Sequence, residues 1–336
     1  MHKKINIVIW SIALLLAMIV IFMAFFSSKV KLYEKKFRYF DTDITVRIYE
    51  DEPDKVEQAL EKIQSIYEQY HKLANAHKAY DDIVNIHTIR YNKEESDVLT
   101  IPSELYEMLE YSHDFVQKSQ GAFQINQGTV IDGWTRYLKT EQKVPTKKEI
   151  EQWKQQDQSA LILLGNHQIQ NSHPMIELGK ISLGFANDEI INYLKQEGID
   201  QYLIQEGGNA TAGLSLNNKP YKVALEILNQ NDVATIVQLK NRSIVTNVRD
   251  IEKYEYDGKS YHLLIDPNTS YPAEKIDKVT VIAKDSKTAY TLSNVLYMMD
   301  VEQGKKMVED LKDVDVLWLD SDGKQSSTKN FSKYES

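Results

Sequence analysis

Asp257-Gly258-Lys259-Ser260-Tyr261-His262-Leu263-Leu264-Ile265-Asp266-Pro267-Asn268-Thr269-Ser270-Tyr271-Pro272 sets a hairpin turn, a strand and a second turn within one short segment. Asp-Gly is a hairpin signal, because a two-residue turn between twisted strands needs positive φ, which these residues accept. The strand that follows alternates, with Tyr261, Leu263 and Ile265 on one face and His262 and Leu264 on the other. Asp266-Pro267-Asn268-Thr269 then forces a turn, since proline fixes its own φ and Asx side chains bond nearby amides. A His–Asp pair at this spacing can do acid–base work, although a satisfied strand histidine is the commoner arrangement.

The flanking sequence places this segment in an α+β chain. Phe37–Tyr49 alternates through Phe40, Ile44, Val46 and Ile48 and reads as a first strand. Asp51-Glu52-Pro53-Asp54 supplies a turn and a helix start. Val56–His71 carries apolar residues at helical spacing, as does Ser103–Ser119. Lys139–Gln158 is polar and reads as a solvated loop with a surface helix. Leu161–Gly165 and Gln168–Asn171 flank Asn166-His167 as a hairpin, and helices are expected at Ala186–Gln196, Ala289–Met299 and Val301–Asp310. No repeat or low-complexity linker divides the chain beyond Phe37, so residues 37–336 read as one domain.

Composition excludes several classes. Across 336 residues the formal net charge is −9, which leaves no basic stripe for nucleic acid. Cysteine is absent, so disulfides, thiolate metal sites and cysteine nucleophiles are excluded. After a short cytoplasmic stretch at residues 1–4, residues 5–26 are almost unbroken apolar sequence, long enough to cross a bilayer as a signal anchor. Residues 27–36 form a juxtamembrane linker whose lysines oppose the simple positive-inside orientation. Long domains translocate largely regardless of that bias, so the expectation is a single-pass membrane protein with an extracellular C-terminal domain.

Several segments have the make-up of ligand loops. Gly121-Ala122-Phe123-Gln124-Ile125-Asn126-Gln127-Gly128 follows a helix and can bring backbone amides close to a ligand, or simply stop the helix. Ile176–Asp188 reads as a strand running through Gly179 and Gly184 into a helix, a geometry suited to an anion, although it matches neither a dinucleotide fingerprint nor a phosphate loop. Glu206-Gly207-Gly208-Asn209 follows a strand in the same manner. The eight histidines show no metal-ligand spacing, and His71 and His77 read as solvated surface residues.

Taken in order, these segments resemble the ApbE family of FAD:protein FMN transferases over Phe37–Tyr334. The resemblance runs from Tyr70-His71-Lys72-Leu73 and Tyr80–Ile89 through Gly121-Ala122-Phe123 and Trp134. It continues through Leu178-Gly179 to Asp188, Glu206–Asn209 and Asp257–Pro272, and on to Val314–Trp318 with Asp322-Gly323. It implies an ApbE-like, T-fold-like two-lobed domain enclosing a flavin cleft. It also implies an enzyme that splits FAD with Mg2+, releases AMP and joins FMN to Ser or Thr of an exported partner flavoprotein. By resemblance, Tyr80, Ala122, Phe123, Gln124, Asp188, Glu206, Gly207, Gly208, Asn209 and Ile265 bind the flavin cofactor. His262 and Asp266 are the implied catalytic pair, and Ser182, Tyr290 and Asn294 fall at the family's metal positions.

The sequence departs from the family at that metal site. Where the family has an acid and a hydroxyl residue near the last helices, this chain has Tyr290 and Asn294. A neutral phenol is a poor magnesium ligand beside a carboxylate. The family's Ala-Lys-Gly becomes Ser182-Leu183-Gly184, one of two adjacent histidines becomes Leu263, Thr-Ser-Gly becomes Thr246-Asn247-Val248, and an acid becomes Gln124. Together these changes point to a transferase with weakened activity; the alternative is an inactive paralogue that binds flavin or a flavoprotein at the cell surface.

Overall fold

The computed structural model describes residues 30–92, 97–225, 235–249 and 253–335. The expected membrane anchor at residues 5–26 lies outside them; among the described residues no helix is long and apolar enough to cross a membrane.

The chain opens with two strands, β1 (Lys31–Tyr39) and β2 (Thr42–Glu50), where the alternation had suggested one. The break falls at Phe40-Asp41, both at positive φ, so a tight antiparallel turn forms without glycine or asparagine. The Thr42 hydroxyl donates to the Phe40 carbonyl, and Phe40 N–H donates to His71 Nδ1 at 3.3 Å. His71 thus pins this hairpin instead of standing free in solvent.

Helix α1 (Pro53–Ala74) follows, with Pro53 at its first position, where the missing N–H costs nothing. Val56, Ala59, Ile63, Ile66, Tyr67, Tyr70 and Leu73 make its buried stripe. Burying each large apolar member contributes about 1.5–3 kcal/mol relative to exposure. Helix α2 (Ile86–Tyr91) is capped by Asn85, whose amide also donates to the carbonyls of Lys72, Asn75 and Lys78 and so ties the loop to the end of α1. β3 (Val98–Thr100) precedes α3 (Ser103–Lys118), α4 (Gly128–Arg136) and α5 (Lys147–Gln156). β4 (Leu163–Gly165) and β5 (Gln168–Gln170) form the hairpin expected around Asn166-His167, and β3 pairs with β5.

Helix α6 (Ile181–Gln196) leads to β6 (Tyr202–Glu206), β7 (Asn209–Ala212), β8 (Tyr221–Leu225), β9 (Thr235–Leu239) and β10 (Arg242–Val248). β11 (Lys253–Tyr256) and β12 (Lys259–His262) are joined by Asp257-Gly258, both at positive φ, as the turn chemistry required. β13 (Ile276–Ala283), α7 (Ser286–Tyr297), α8 (Val301–Val308), β14 (Val314–Asp320) and β15 (Gln325–Ser327) follow, with a short 3-10 turn at Phe331–Lys333.

Eight strands form one sheet in the order β1-β2-β6-β7-β10-β13-β14-β15, every neighbouring pair antiparallel. Alternation along the central strands serves two cores: Ile204, Val245, Val281 and Val316 face α1, α6 and α7, whereas Leu203, Ile244, Ile282 and Leu317 face the β8–β9 hairpin. A sheet covered on both faces explains why these strands read as continuous apolar runs. A third cluster gathers Val130, Trp134, Ile150, Tyr254 and Ile265. Trp134 donates its indole N–H to Ser270 O at 2.8 Å, and Tyr261 stacks between Trp134 and Tyr254. The strand predicted through Ile265 stops at His262; beyond it Ile265 keeps only a single bridge to Pro272.

Candidate functional site

The Glu206-Gly207-Gly208-Asn209 turn joins β6 to β7 beside α6 and α7. Gly207 sits at φ +59°, a conformation other residues adopt only under strain. Asn209 Oδ1 accepts from Thr246 N–H at 2.8 Å, and its amide donates to the Tyr290 hydroxyl at 3.4 Å. Glu206 is buried; one carboxyl oxygen accepts from the Asn187 amide at 2.5 Å and the other from the Tyr290 hydroxyl at 3.0 Å. Tyr67 closes the network by donating to Asn187 Oδ1 at 2.9 Å. Helices α6 and α7 come this close because position 184 is glycine: a Cβ there would lie 2.9 Å from Lys287 Cα and 3.0 Å from Ser286 O.

Burial pushes the Glu206 carboxyl up to about 7, while the Asn187 and Tyr290 bonds and nearby Lys180 pull against it. The same burial, with the Glu206 charge, holds the Tyr67 and Tyr290 phenols well above their ordinary range, so both stay neutral donors.

A second cluster, not legible beforehand, centres on Arg90. Its side chain is fully buried, with Nε donating to Ile176 O at 2.7 Å and the two terminal nitrogens pairing with Asp132 and Glu177 at 3.0 and 3.1 Å. The remaining Glu177 oxygen accepts from Gly179 N–H at 3.0 Å, which fixes the turn leading into α6. Burial pushes the Glu177 carboxyl up, against the pull of Arg90 and that N–H. Ligand atoms of His77, Asp132 and Glu177 lie within 4.8 Å of one another. Both carboxylates are already paired with the guanidinium, which accounts for their proximity. Gly128 makes room for Arg90, since a Cβ there would fall 2.2 Å from its Nη2. The one available sequence signal was Arg90 on the buried side of α2 beside Ile86 and Ile89.

The remaining predicted residues divide by role. Ala122, Phe123 and Gln124 occupy the loop after α3, with Phe123 in the core and its N–H bonded to Ser119 Oγ. Tyr80 is half-buried, with Lys78 and Lys72 at 5.0 and 5.7 Å from its ring. Ile265 is buried in the Trp134 cluster. Both Asp188 oxygens accept N–H groups at the start of α7, from Ser286 and Lys287, so this residue acts as an additional helix cap; burial pushes it up to about 7. A cavity of about 260 Å³ lies beyond that helix start, lined by Tyr111 and Phe115. Its Lys118, Lys284 and Lys312 are matched by Asp114, Asp285 and Asp313, so the cavity presents no net charge to a ligand.

His262, the residue expected to be catalytic, lies inside the fold. The ring is 2% exposed; Nε2 donates to Ala273 O at 3.0 Å while Nδ1 accepts from Leu264 N–H at 3.2 Å. Both nitrogens are therefore committed to local backbone, which fixes the neutral tautomer. Asp266 works within its own turn, accepting from Asn268 N–H at 2.8 Å.

Nor do the residues at the metal positions fit a divalent cation. Magnesium wants near-octahedral oxygen ligands including carboxylate. The Ser182 hydroxyl donates to Gly179 O at 2.8 Å, the Tyr290 hydroxyl is taken by Glu206, and Asn294 Oδ1 accepts from the Asn247 amide at 2.7 Å.

An FAD:protein FMN transferase from Klebsiella pneumoniae (strain 342) is 29% identical over 43% of this chain and 45% of its own length, so that match spans about half of the relative. The FAD:protein FMN transferase of Treponema pallidum (strain Nichols) is 24% identical over 87% of this chain and 85% of its own. The solved flavin transferase ApbE from Vibrio cholerae shares the fold with a TM-score of 0.77 at 19% identity, covering 91% of this chain and 99% of that one. The model of the ApbE family matches residues 40–318, most of the sequence, and the chain belongs to that family.

Proposed function

We propose that the chain is an FAD:protein FMN transferase, anchored by residues 5–26, that modifies a Ser or Thr hydroxyl of an exported partner protein outside the cell. The observation that carries this reading is the family match over residues 40–318, together with relatives whose names state that activity. In the reaction the acceptor oxygen attacks the phosphorus of the FMN half of FAD. The bond to the bridging oxygen breaks, and AMP departs with the acceptor's proton. Phosphoryl transfer of this kind depends chiefly on positioning and on neutralising the pyrophosphate charge. Lys180 is exposed at the start of α6, near enough to Glu206 to influence its carboxyl, and is a cation available here. Backbone amides of the Gly207-Gly208 turn would complete the anion site.

A second reading, a flavin- or flavoprotein-binding paralogue without transfer, is favoured by one observation. The Tyr290 hydroxyl is bonded to Glu206 and Asn209, and Asn294 Oδ1 accepts from Asn247. Incubating the chain with FAD, Mg2+ and a candidate exported acceptor separates the two. An acceptor mass increase equal to FMN less one water, with matching AMP release, supports transfer. Flavin binding with neither product supports the paralogue, and absence of all three sinks both.

A further inference from the structure

We infer that the niche between α6, α7 and the Glu206–Asn209 turn is closed to a divalent cation, its place taken by two protein hydrogen bonds, Tyr290–Glu206 and Asn247–Asn294. This rests on the flavin-cleft reading above for its functional meaning, but the bonding is visible directly. Substitution of the ligand acid by tyrosine does not leave a gap. The Tyr290 ring is 2% exposed, and its hydroxyl reaches Glu206 at 3.0 Å while receiving the Asn209 amide at 3.4 Å. The substituted hydroxyl position is likewise answered by its neighbour, because Asn247 is itself a departure from the family pattern and bonds Asn294 at 2.7 Å. Substituted positions that bond one another form a self-consistent replacement.

Electrostatics lead to the same conclusion. The carboxylate here, Glu206, is 2% exposed and uses both oxygens. A cation entering the niche would have to displace the Asn187 and Tyr290 donors and rotate the Asn247–Asn294 pair. It would gain only one carboxylate and neutral oxygens in return, a weak set for Mg2+. Half-satisfied buried networks are costly, whereas this one is complete. The network also bridges sheet to helices through Tyr67, Asn187 and Thr246, so it secures the geometry that a bound ion would otherwise organise.

The test is titration of the full-length chain in detergent with Mn2+, reading the free-ion signal by electron paramagnetic resonance. Tyr290→Phe, Asn294→Ala and the double variant Tyr290→Asp/Asn294→Thr are titrated alongside. Wild type, Tyr290→Phe and Asn294→Ala should give the same curve, and the double variant should bind about tenfold more tightly. If wild type binds Mn2+ and neither single variant changes it, the ion sits elsewhere and the niche is closed. A double variant that gains nothing contradicts the assignment of the closure to these two positions. Wild-type binding that falls about tenfold in Tyr290→Phe or Asn294→Ala overturns the inference. FAD fluorescence quenching on the same samples reports the flavin reading separately: its loss sinks that reading and leaves the metal result standing.

Discussion

Tyr290→Phe removes one oxygen from a fully buried network, and its cost should depend on pH in a direction fixed by Glu206. Burial raises that carboxyl from 4.5 to about 7 in the folded chain. Between those pH values the folded state holds a proton that the unfolded state has released. The stability associated with the protonated form is therefore complete below pH 4.5 and is lost as pH rises through about 7. At about 1.4 kcal/mol per pH unit, the loss is on the order of 3 kcal/mol. The Tyr290 hydroxyl moderates it by donating to the ionised carboxylate. At pH 5 the variant loses a bond between neutral groups, about 1 kcal/mol; at pH 8.5 it loses one to a buried anion, about 2–3 kcal/mol. Urea unfolding followed by tryptophan fluorescence at the two pH values measures the difference. An equal loss at both, or a larger one at pH 5, would refute the reasoning.

Other outcomes follow from the Arg90 cluster and the flavin loop. Arg90→Leu strands Asp132 and Glu177 without their cation and should cost about 3–5 kcal/mol in denaturant unfolding; a loss below 1 kcal/mol would show that the pairing is incidental. Gly128→Ala puts a methyl 2.2 Å from Arg90 Nη2 and should cost about 1–3 kcal/mol. In an Arg90→Leu background that cost should shrink, and strict additivity would contradict the contact. Tyr80→Ala should weaken FAD binding about tenfold if its ring meets the flavin, with unchanged quenching placing the ligand elsewhere.

The turns were the most legible part of the fold. Asp257-Gly258 and Asn166-His167 announced their hairpins because the φ values they need are written into the residue types. Phe40-Asp41 makes the same kind of turn with residues that do not advertise it, so two strands read as one. Helix α1 was visible in its apolar spacing. Helix α4 was not, because Gly128 and Gly133 look like loop residues until Arg90 and Trp153 are seen to crowd them. At the site, sequence comparison identified the substituted positions but not their consequences. That Tyr290 answers Glu206, and Asn247 answers Asn294, depends on contacts between residues 84 and 47 positions apart. His262 shows the reverse case: a reactive residue type whose two ring nitrogens bond to backbone two and eleven residues away.

Titrating the full-length chain with FAD in EDTA, and again with Mg2+, while following flavin fluorescence, tests the central claim most directly. A flavin cleft with a closed metal niche predicts saturable one-to-one quenching with the same Kd in both conditions. No quenching in either, or quenching that requires Mg2+, would contradict the account.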